Sequence, residues 1–172
     1  MERIQKKWRE IREEAINVKE LPIHTTSPDF GKNWDTVSDE TIQQLGWLQS
    51  SYVSTYRKYA LIYQNNEVKN NIDRCPVTKK LLRKLQKKYD IFIAGYAIMR
   101  GKSVTPVHTD NNEDYTPWHL GLEIPNSEDC ALVVEAEENE DGVKNHIYHE
   151  EEGKYITFDD HQRHFAYNKT DK

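Results

Sequence analysis

CALVVEAEENEDGVKNHIYHEEEGKYITFDDHQRHFAYN, residues 130–168, is the stretch that decides the fold class. Short apolar runs follow one another in it: CALVVEA (130–136), KNHIYHEE (144–151), KYITFDD (154–160) and RHFAYN (163–168), with Asp141-Gly142 as a tight-turn pair between the first two. Upstream, IFIAGYAIM (91–99), VTPVHTD (104–110) and PWHLGLEIP (117–125) repeat the pattern. Strand-like runs in this succession predict a mainly β sandwich or barrel over residues 91–172.

The region before Asp90 reads differently. Ile4, Trp8, Ile11, Ala15 and Val18 recur at spacings of four, three, four and three, which predicts one stripe of an N-terminal helix. Pro22, Pro28 and Gly31 interrupt it, and Ser38 with Asp39 and Glu40 can start a short helical turn. Tyr59–Tyr63 has strand character and is followed by a turn at Gln64, Asn65 and Asn66. Pro76 suits a first helical turn because its missing N–H costs nothing there, and Leu81, Leu82 and Leu85 carry that helix toward Tyr89. Residues 1–90 are therefore expected to be a mostly helical support, within a single domain of residues 1–172.

With 172 residues, 36% of them hydrophobic, the chain is large enough for one buried core, which excludes a coiled-coil rod or a wholly disordered tail. No apolar run approaches the roughly 18 residues that a membrane-spanning helix needs, and the start MERIQKKWREIREE is charged, so no membrane partner and no secretory leader are expected. Cys75 and Cys130 lie outside any C-x-x-C pattern, so neither a disulfide scaffold nor a thiolate zinc site is expected, and a reducing, cytoplasmic setting is the default. From Ser103 to Asp160 there are 16 Asp and Glu against two Lys, a balance of −14, and the remaining chain carries +9. That acidity argues against a nucleic-acid partner there, since such affinity comes largely from phosphates pairing with Lys and Arg. The basic stretch KKLLRKLQKK (79–88) is read as the solvated face of a helix with one buried edge.

Six of the seven histidines crowd the strand-rich half, at 108, 119, 146, 149, 161 and 164. His108 and Asp110 are two apart, so on an extended strand they point to one face and can meet one cation. His164 lies in the last predicted strand and can approach that pair from a neighbour, and His161, in the same segment, competes for the role. Two imidazoles and a carboxylate occupying one face of an octahedron form the pattern of non-haem Fe(II) oxygenases. A His-x-Asp pair also arises often by chance. His146 and His149 fall on opposite faces of a strand and read as surface residues, and neither a Gly-x-Ser-x-Gly elbow nor a phosphate-cradling glycine loop is present.

The segments WHLGLEIP (118–125) and EEEGKYITFDD (150–160), with His164 in HFAYN, resemble the aspartyl/asparaginyl β-hydroxylase family of Fe(II)- and 2-oxoglutarate-dependent dioxygenases. Cys75-Pro76 followed by Thr78 and Leu81-Leu82, and Tyr96, Ile98 and Met99 ahead of the His-x-Asp, extend the similarity over about residues 70–170. The resemblance implies a double-stranded β-helix, a jelly-roll or cupin-like core with N-terminal helices packed against one sheet. It assigns Fe(II) to His108, Asp110 and His164, and gives His119 a contact with the cosubstrate 2-oxoglutarate; packing within a strand is the alternative for His119. Animal enzymes of the family have glycine where this chain has Asp110.

Three family positions are not matched. Ala97 stands where the family has serine, Pro117 where it has an arginine, and the arginine that holds the far carboxylate of 2-oxoglutarate, about ten residues past the second histidine, would fall beyond Lys172: either the core here lacks its last strand, or the cosubstrate is held differently, or the protein is no longer an oxygenase. The expected activity is C–H hydroxylation with O₂, at the β-carbon of an Asp or Asn residue or on a related peptide or amino-acid substrate. The alternative is a jelly-roll module that binds metal or a small ligand without turnover. Gly153 reads as a turn glycine before the strand YITF, Asp159 and Asp160 as partners of a ligand imidazole or as a solvated turn, and Tyr115 and Trp118 as packing residues or as the mouth of the site.

Overall fold

The structure, a computed structural model, describes residues 2–26, 38–50, 54–110, 115–139 and 142–172. It is mainly β with several helices, arranged in more than one sheet, and no closed barrel forms among the described residues. The chain divides into two compact units, Met1–Ile98 and Met99–Lys172.

In the first unit, helices α1 (Glu2–Gln5) and α2 (Trp8–Asn17) take up the expected stripe, and Ile11 and Val18 are its buried members. The short helix α3 (Asp39–Ile42) begins where expected, with Ser38 Oγ accepting the Thr41 N–H at 3.2 Å. Helix α5 (Pro76–Leu85) has Pro76 in its first turn and buries Leu82; it follows the one-turn helix α4 (Lys69–Ile72). The strand expected over Tyr59–Tyr63 is the second half of β3 (Tyr56–Tyr63), and Gln64 and Asn65 turn at φ 46° and 65°, a conformation suited to a two-residue hairpin. Around it stand β1 (Ile23–Thr26), β2 (Trp47–Ser50), β4 (Asn66–Glu67) and β5 (Ile93–Met99). The sheet runs β1-β2-β3-β4 with β5 also paired to β3.

Two features of this unit differ from the sequence reading. The front region carries a sheet as well as helices, because β1, β2 and β4 are only two to four residues long and too short for an alternation to register. The first of the expected core strands, IFIAGYAIM, joins this sheet through β3. Residues Tyr59 to Tyr63 are each at most 3% exposed, so both faces of β3 are covered, as a central strand requires. Two buried polar groups fasten helices to the sheet. Asn71, in α4, accepts the Gly46 N–H at 3.0 Å and donates to Ala60 O at 2.9 Å. Trp47 Nε1 donates to Val18 O at 2.8 Å. Glu14 of α2 accepts the Val77 and Thr78 N–H groups at 2.6 and 2.9 Å and the Thr78 hydroxyl at 2.7 Å, placing a carboxylate on the positive end of α5. Thr78 Oγ1 is in turn 2.9 Å from the Tyr96 hydroxyl, and burial pushes the neighbouring Cys75 thiol up to about 11.

The second unit contains β6 (Ser103–Val104), β7 (Trp118–Leu120), β8 (Cys130–Asn139), β9 (Gly142–His149), β10 (Tyr155–Thr157) and β11 (His164–Asn168). Four of them form an antiparallel sheet in the order β6-β11-β8-β9, and β10 pairs with β7. Leu132, Val134 and Ile156 form a core against which Tyr148, Phe158 and Ala166 pack. Residues 99–172 hold 17 Asp and Glu against 7 Lys and Arg, a net −10, whereas residues 1–98 hold 12 against 17, a net +5. The expected Asp141-Gly142 turn lies outside the described residues at Asp141.

The two motifs HLGL and EGK are bonded to each other. Gly121 N–H donates to Lys154 O at 3.0 Å, and Gly153 N–H donates to Gly121 O at 2.8 Å. Gly153 has φ 73°, the left-handed turn expected of it. A Cβ on Gly121 would stand 2.2 Å from Glu151 O, so only glycine allows this approach.

Candidate metal centre

The expected strand VTPVHTD is interrupted. Val104 lies opposite Tyr167, yet His108, not Val107, lies opposite His164, so one extra residue is accommodated between them. Pro106 has no N–H to give the ladder, and the Ala166 N–H goes to the Thr105 hydroxyl at 2.8 Å rather than to a backbone carbonyl. Because side chains alternate along a strand, this offset decides which face His108 takes. His108 and His164 exchange both backbone hydrogen bonds, at 3.0 and 2.8 Å, so they form a directly opposed pair with side chains on one face. Their ring centroids are 4.4 Å apart. On β11, His164 shares its face with Ala166, which packs on Leu132 and Val134, and His164 is buried.

The hydrogen bonds settle the imidazole tautomers. His108 Nδ1 is 2.7 Å from Pro106 O and His164 Nδ1 is 2.9 Å from Gln162 O; a carbonyl only accepts, so each Nδ1 donates. In its neutral form each ring then has its lone pair on Nε2. The two Nε2 atoms face the Asp110 carboxylate, at 4.0 Å from Oδ1 for His108 and 3.9 Å from Oδ2 for His164. Those separations are too long for hydrogen bonds. The three ligand atoms lie within 4.8 Å of one another. Two lone-pair nitrogens and a carboxylate converging without bonding each other form a donor set suited to one divalent transition-metal ion.

Asp110 is held by its backbone, its N–H donating to Asp160 O at 3.0 Å. Asp160 itself is buried, and its Oδ1 has no hydrogen-bond partner among the described residues. Burial, followed by the nearby Asp110 charge, raises its carboxyl above the usual range. Next to it, the hydrogen bond from His161 lowers Asp159. His161 Nδ1 is 2.9 Å from Asp159 Oδ1, so the ring that competed with His164 in the sequence is turned to a carboxylate of its own segment. Tyr115, Thr116, Thr157, Phe158, Asp159, Asp160 and His161 line a groove of about 530 Å³.

His119 stands apart from the triad. It lies on β7 opposite Ile156, 45% exposed, with Nδ1 3.7 Å from Glu150 Oε1. Its ring meets the edge of Phe158 at 5.4 Å, and Phe158 meets His164 at 5.1 Å, so one aromatic ring lies between His119 and the donor set. Trp118 stacks on Tyr155 at 5.2 Å and does not line the groove, whereas Tyr115 does. His146 and His149 are exposed, and His149 Nδ1 lies 3.0 Å from Ser127 O. The unpartnered Asp160 oxygen and the offset at Pro106 were not foreseen; the proline before His-x-Asp was the available signal for the offset.

Comparison with known proteins identifies the family. The sequence pattern of a family described as aspartyl/asparaginyl beta-hydroxylase matches residues 5–172. The chain is also 27% identical over 163 residues to an ornithine lipid ester-linked acyl 2-hydroxylase of Rhizobium tropici, a match covering 95% of this chain and 48% of that protein. The chain thus spans about half the length of the curated relative it matches. It belongs to the aspartyl/asparaginyl β-hydroxylase family.

Proposed function

From that membership we propose that this hydroxylase is an Fe(II)- and 2-oxoglutarate-dependent dioxygenase whose metal is held by His108, Asp110 and His164 on a jelly-roll core. The observation that carries the reading is the pair of Nε2 atoms facing one carboxylate at 3.9–4.0 Å. When bound, a ferrous ion with O₂ and 2-oxoglutarate supplies the oxidation: one oxygen atom enters a C–H bond of the acceptor as hydroxyl, and the other leaves in succinate with release of CO₂.

The protein's own contribution is positioning. The opposed backbone pair fixes the spacing of the two imidazoles, and the Pro106 and Gln162 carbonyls hold their tautomers. Phe158 closes one side of His164 with an apolar ring and keeps water from it. The cosubstrate is a weaker fit than the metal. Its far carboxylate needs a cation, and no Lys or Arg is among the described residues that line the groove, while Ala97 and Pro117 replace the family's serine and arginine. No step is therefore assigned to 2-oxoglutarate or to His119, whose cosubstrate contact rests on the family resemblance. The missing cation favours one second reading, a metal-binding module without turnover.

The acceptor follows from the family: the β-carbon of an Asp or Asn residue, or a related amino-acid substrate. The relative's name gives an acyl group of an ornithine lipid as that protein's acceptor, so a lipid-borne acceptor is the second class to test. No helix among the described residues is long and apolar enough to cross a membrane. The deciding experiment measures succinate formed from 2-oxoglutarate by the Fe(II)-loaded protein and by His108→Ala. Succinate from the wild type and none from His108→Ala is the expected result. Tight metal binding with no succinate would leave the binding module, and activity surviving in His108→Ala would overturn the ligand assignment.

A further inference from the structure

The surplus charge of the first unit is concentrated in one segment. Residues 67–90 hold 8 Lys and Arg against 3 Asp and Glu, a net +5, which equals the net charge of residues 1–98 as a whole, 17 against 12. Two of the three acids are already paired, Glu67 with Arg83 and Lys79, and Asp73 with Lys79 and Lys69. The third, Asp90, accepts the Asn65 amide at 2.5 Å. Lys80, Lys84, Lys87 and Lys88 are exposed, and none of them has an acidic partner among the described residues.

These four lysines follow the helix. α5 buries Thr78 and Leu82, and its last turn continues past Leu85, since the Lys88 and Tyr89 N–H groups both donate to Leu85 O, at 2.8 and 2.9 Å. At about 3.6 residues per turn, Lys80, Lys84, Lys87 and Lys88 fall within about 100° of one another, on the side away from Leu82. Lys80 and Lys84, and again Lys84 and Lys88, are four apart, the spacing at which like charges repel and weaken a helix. Solubility alone does not call for such pairs, because interleaved acids would serve it with an attraction instead.

The chemistry of the stripe selects its partner. No aromatic or amide side chain stands within that arc to stack on a base or read its edge, and Arg83 is engaged with Glu67 through two hydrogen bonds. The chain as a whole carries −5, without the general basicity of nucleic-acid binders. Lysine is also depleted from the cores of protein–protein interfaces, which are built on aromatic and arginine anchors. A row of lysines on a helix already anchored by its other edge suits a partner that asks for charge without shape: a surface of anionic headgroups, which lysine reaches on a flexible stem.

We propose that the Lys80, Lys84, Lys87 and Lys88 stripe of α5 docks on the surface of an anionic lipid bilayer. The ammonium groups pair with lipid phosphates, each lysine adding about fivefold in affinity, and the repulsion between neighbouring lysines is relieved. Such a contact lies on the bilayer and needs no spanning segment. A protein held there meets acceptors that are carried by lipid; that consequence rests on the hydroxylase reading, and the docking does not.

The test is partition of the full chain onto sedimenting vesicles at low salt. Vesicles of phosphatidylcholine with roughly one third phosphatidylglycerol are compared with vesicles of phosphatidylcholine alone. The expected result is partition about 100-fold or more stronger onto the anionic vesicles, falling as salt is added. Lys84→Gln should weaken it by about fivefold, and replacing all four lysines by glutamine should bring it down to the level of the neutral vesicles. These side chains are exposed, so the variants should keep the wild-type circular dichroism, and Lys84→Gln, which removes two repulsions, should keep or raise the urea midpoint. Lys84→Gln decides the matter if the fourfold variant does not fold. Lys154→Gln changes the net charge equally in the other unit and should stay within about twofold of the wild type. A loss there equal to that of Lys84→Gln would overturn the proposal, as would equal partition onto both kinds of vesicle, no partition onto the anionic ones, or a folded Lys84→Gln protein that binds them unchanged. Release from the vesicles by duplex DNA at equal phosphate concentration would also overturn it, because the stripe would then belong to nucleic acid. His108→Ala should partition like the wild type, so loss of succinate and loss of partition report separately on the hydroxylase reading and on the docking.

Discussion

Two sets of polar side chains, one in each unit, are satisfied in opposite ways. In Met1–Ile98, the Glu14 carboxylate takes three hydrogen bonds from the start of α5, and the Asn71 amide is bonded on both its oxygen and its nitrogen. In Met99–Lys172, two imidazole Nε2 atoms and one carboxylate converge without bonding one another, and Asp160 Oδ1 has no donor among the described residues. A saturated polar group holds the fold and has no capacity left for a ligand; an unsaturated one costs stability until a ligand arrives.

The comparison can be broken most sharply by exchanging the expected phenotypes. His164→Ala should raise the dissociation constant for Mn(II) by about 100-fold or more while the protein stays folded, measured by calorimetric titration beside circular dichroism. Loss of folding with metal affinity unchanged would make His164 a scaffold residue. Glu14→Ala should do the reverse, removing about 2–4 kcal/mol of stability in urea unfolding because the α5 N–H groups lose their acceptor, with Mn(II) affinity unchanged. Gly121→Ala tests the bonded motifs: its Cβ would meet the Glu151 carbonyl, at an expected cost of about 2–3 kcal/mol.

The smallest effect sharpens the electrostatic side. Arg83 forms two hydrogen bonds to Glu67, at 2.5 and 2.9 Å, and holds that carboxyl below its ordinary value. A carboxylate with a depressed folded-state value stabilises the protein above its unfolded pKa, near 4.3, and loses that contribution as pH falls through the folded value. The urea midpoint of the wild type should therefore approach that of Glu67→Gln as pH drops below about 4. A gap that stays constant with pH would show that the pair contributes through packing alone.

Much of this was legible in the residues because it is local. Pro76 opening α5, the Ile11 and Val18 stripe, the turn at Gln64-Asn65 and the left-handed Gly153 each follow from backbone preference or periodicity. His108, Asp110 and His164 were legible as a set because a strand puts alternate residues on one face. What escaped was nonlocal. Glu14 sits on the apolar stripe of α2 and looks like a solvated acid until Val77 and Thr78, more than sixty residues away, are placed against it. The short strands β1, β2 and β4 leave no periodic trace, and their pairing, β1 to β2 and both β2 and β4 to β3, is a tertiary fact. Asp160 reads as one half of an acidic dipeptide, and only burial reveals that it differs from Asp159.

Pro106 has a consequence that reaches further than its own turn. A chain free to zip along β11 without a break would set Val107 against His164 and turn His108 to the opposite side, exchanging an imidazole for an isopropyl group at the place where a metal would sit. The extra residue between Val104 and His108 breaks that continuous zipper, and the Pro106 carbonyl supplies the anchor for the His108 Nδ1 proton. Single-residue insertions or deletions between Thr105 and His108 should accordingly be the least forgiving in the protein: they would invert the centre while leaving its composition intact.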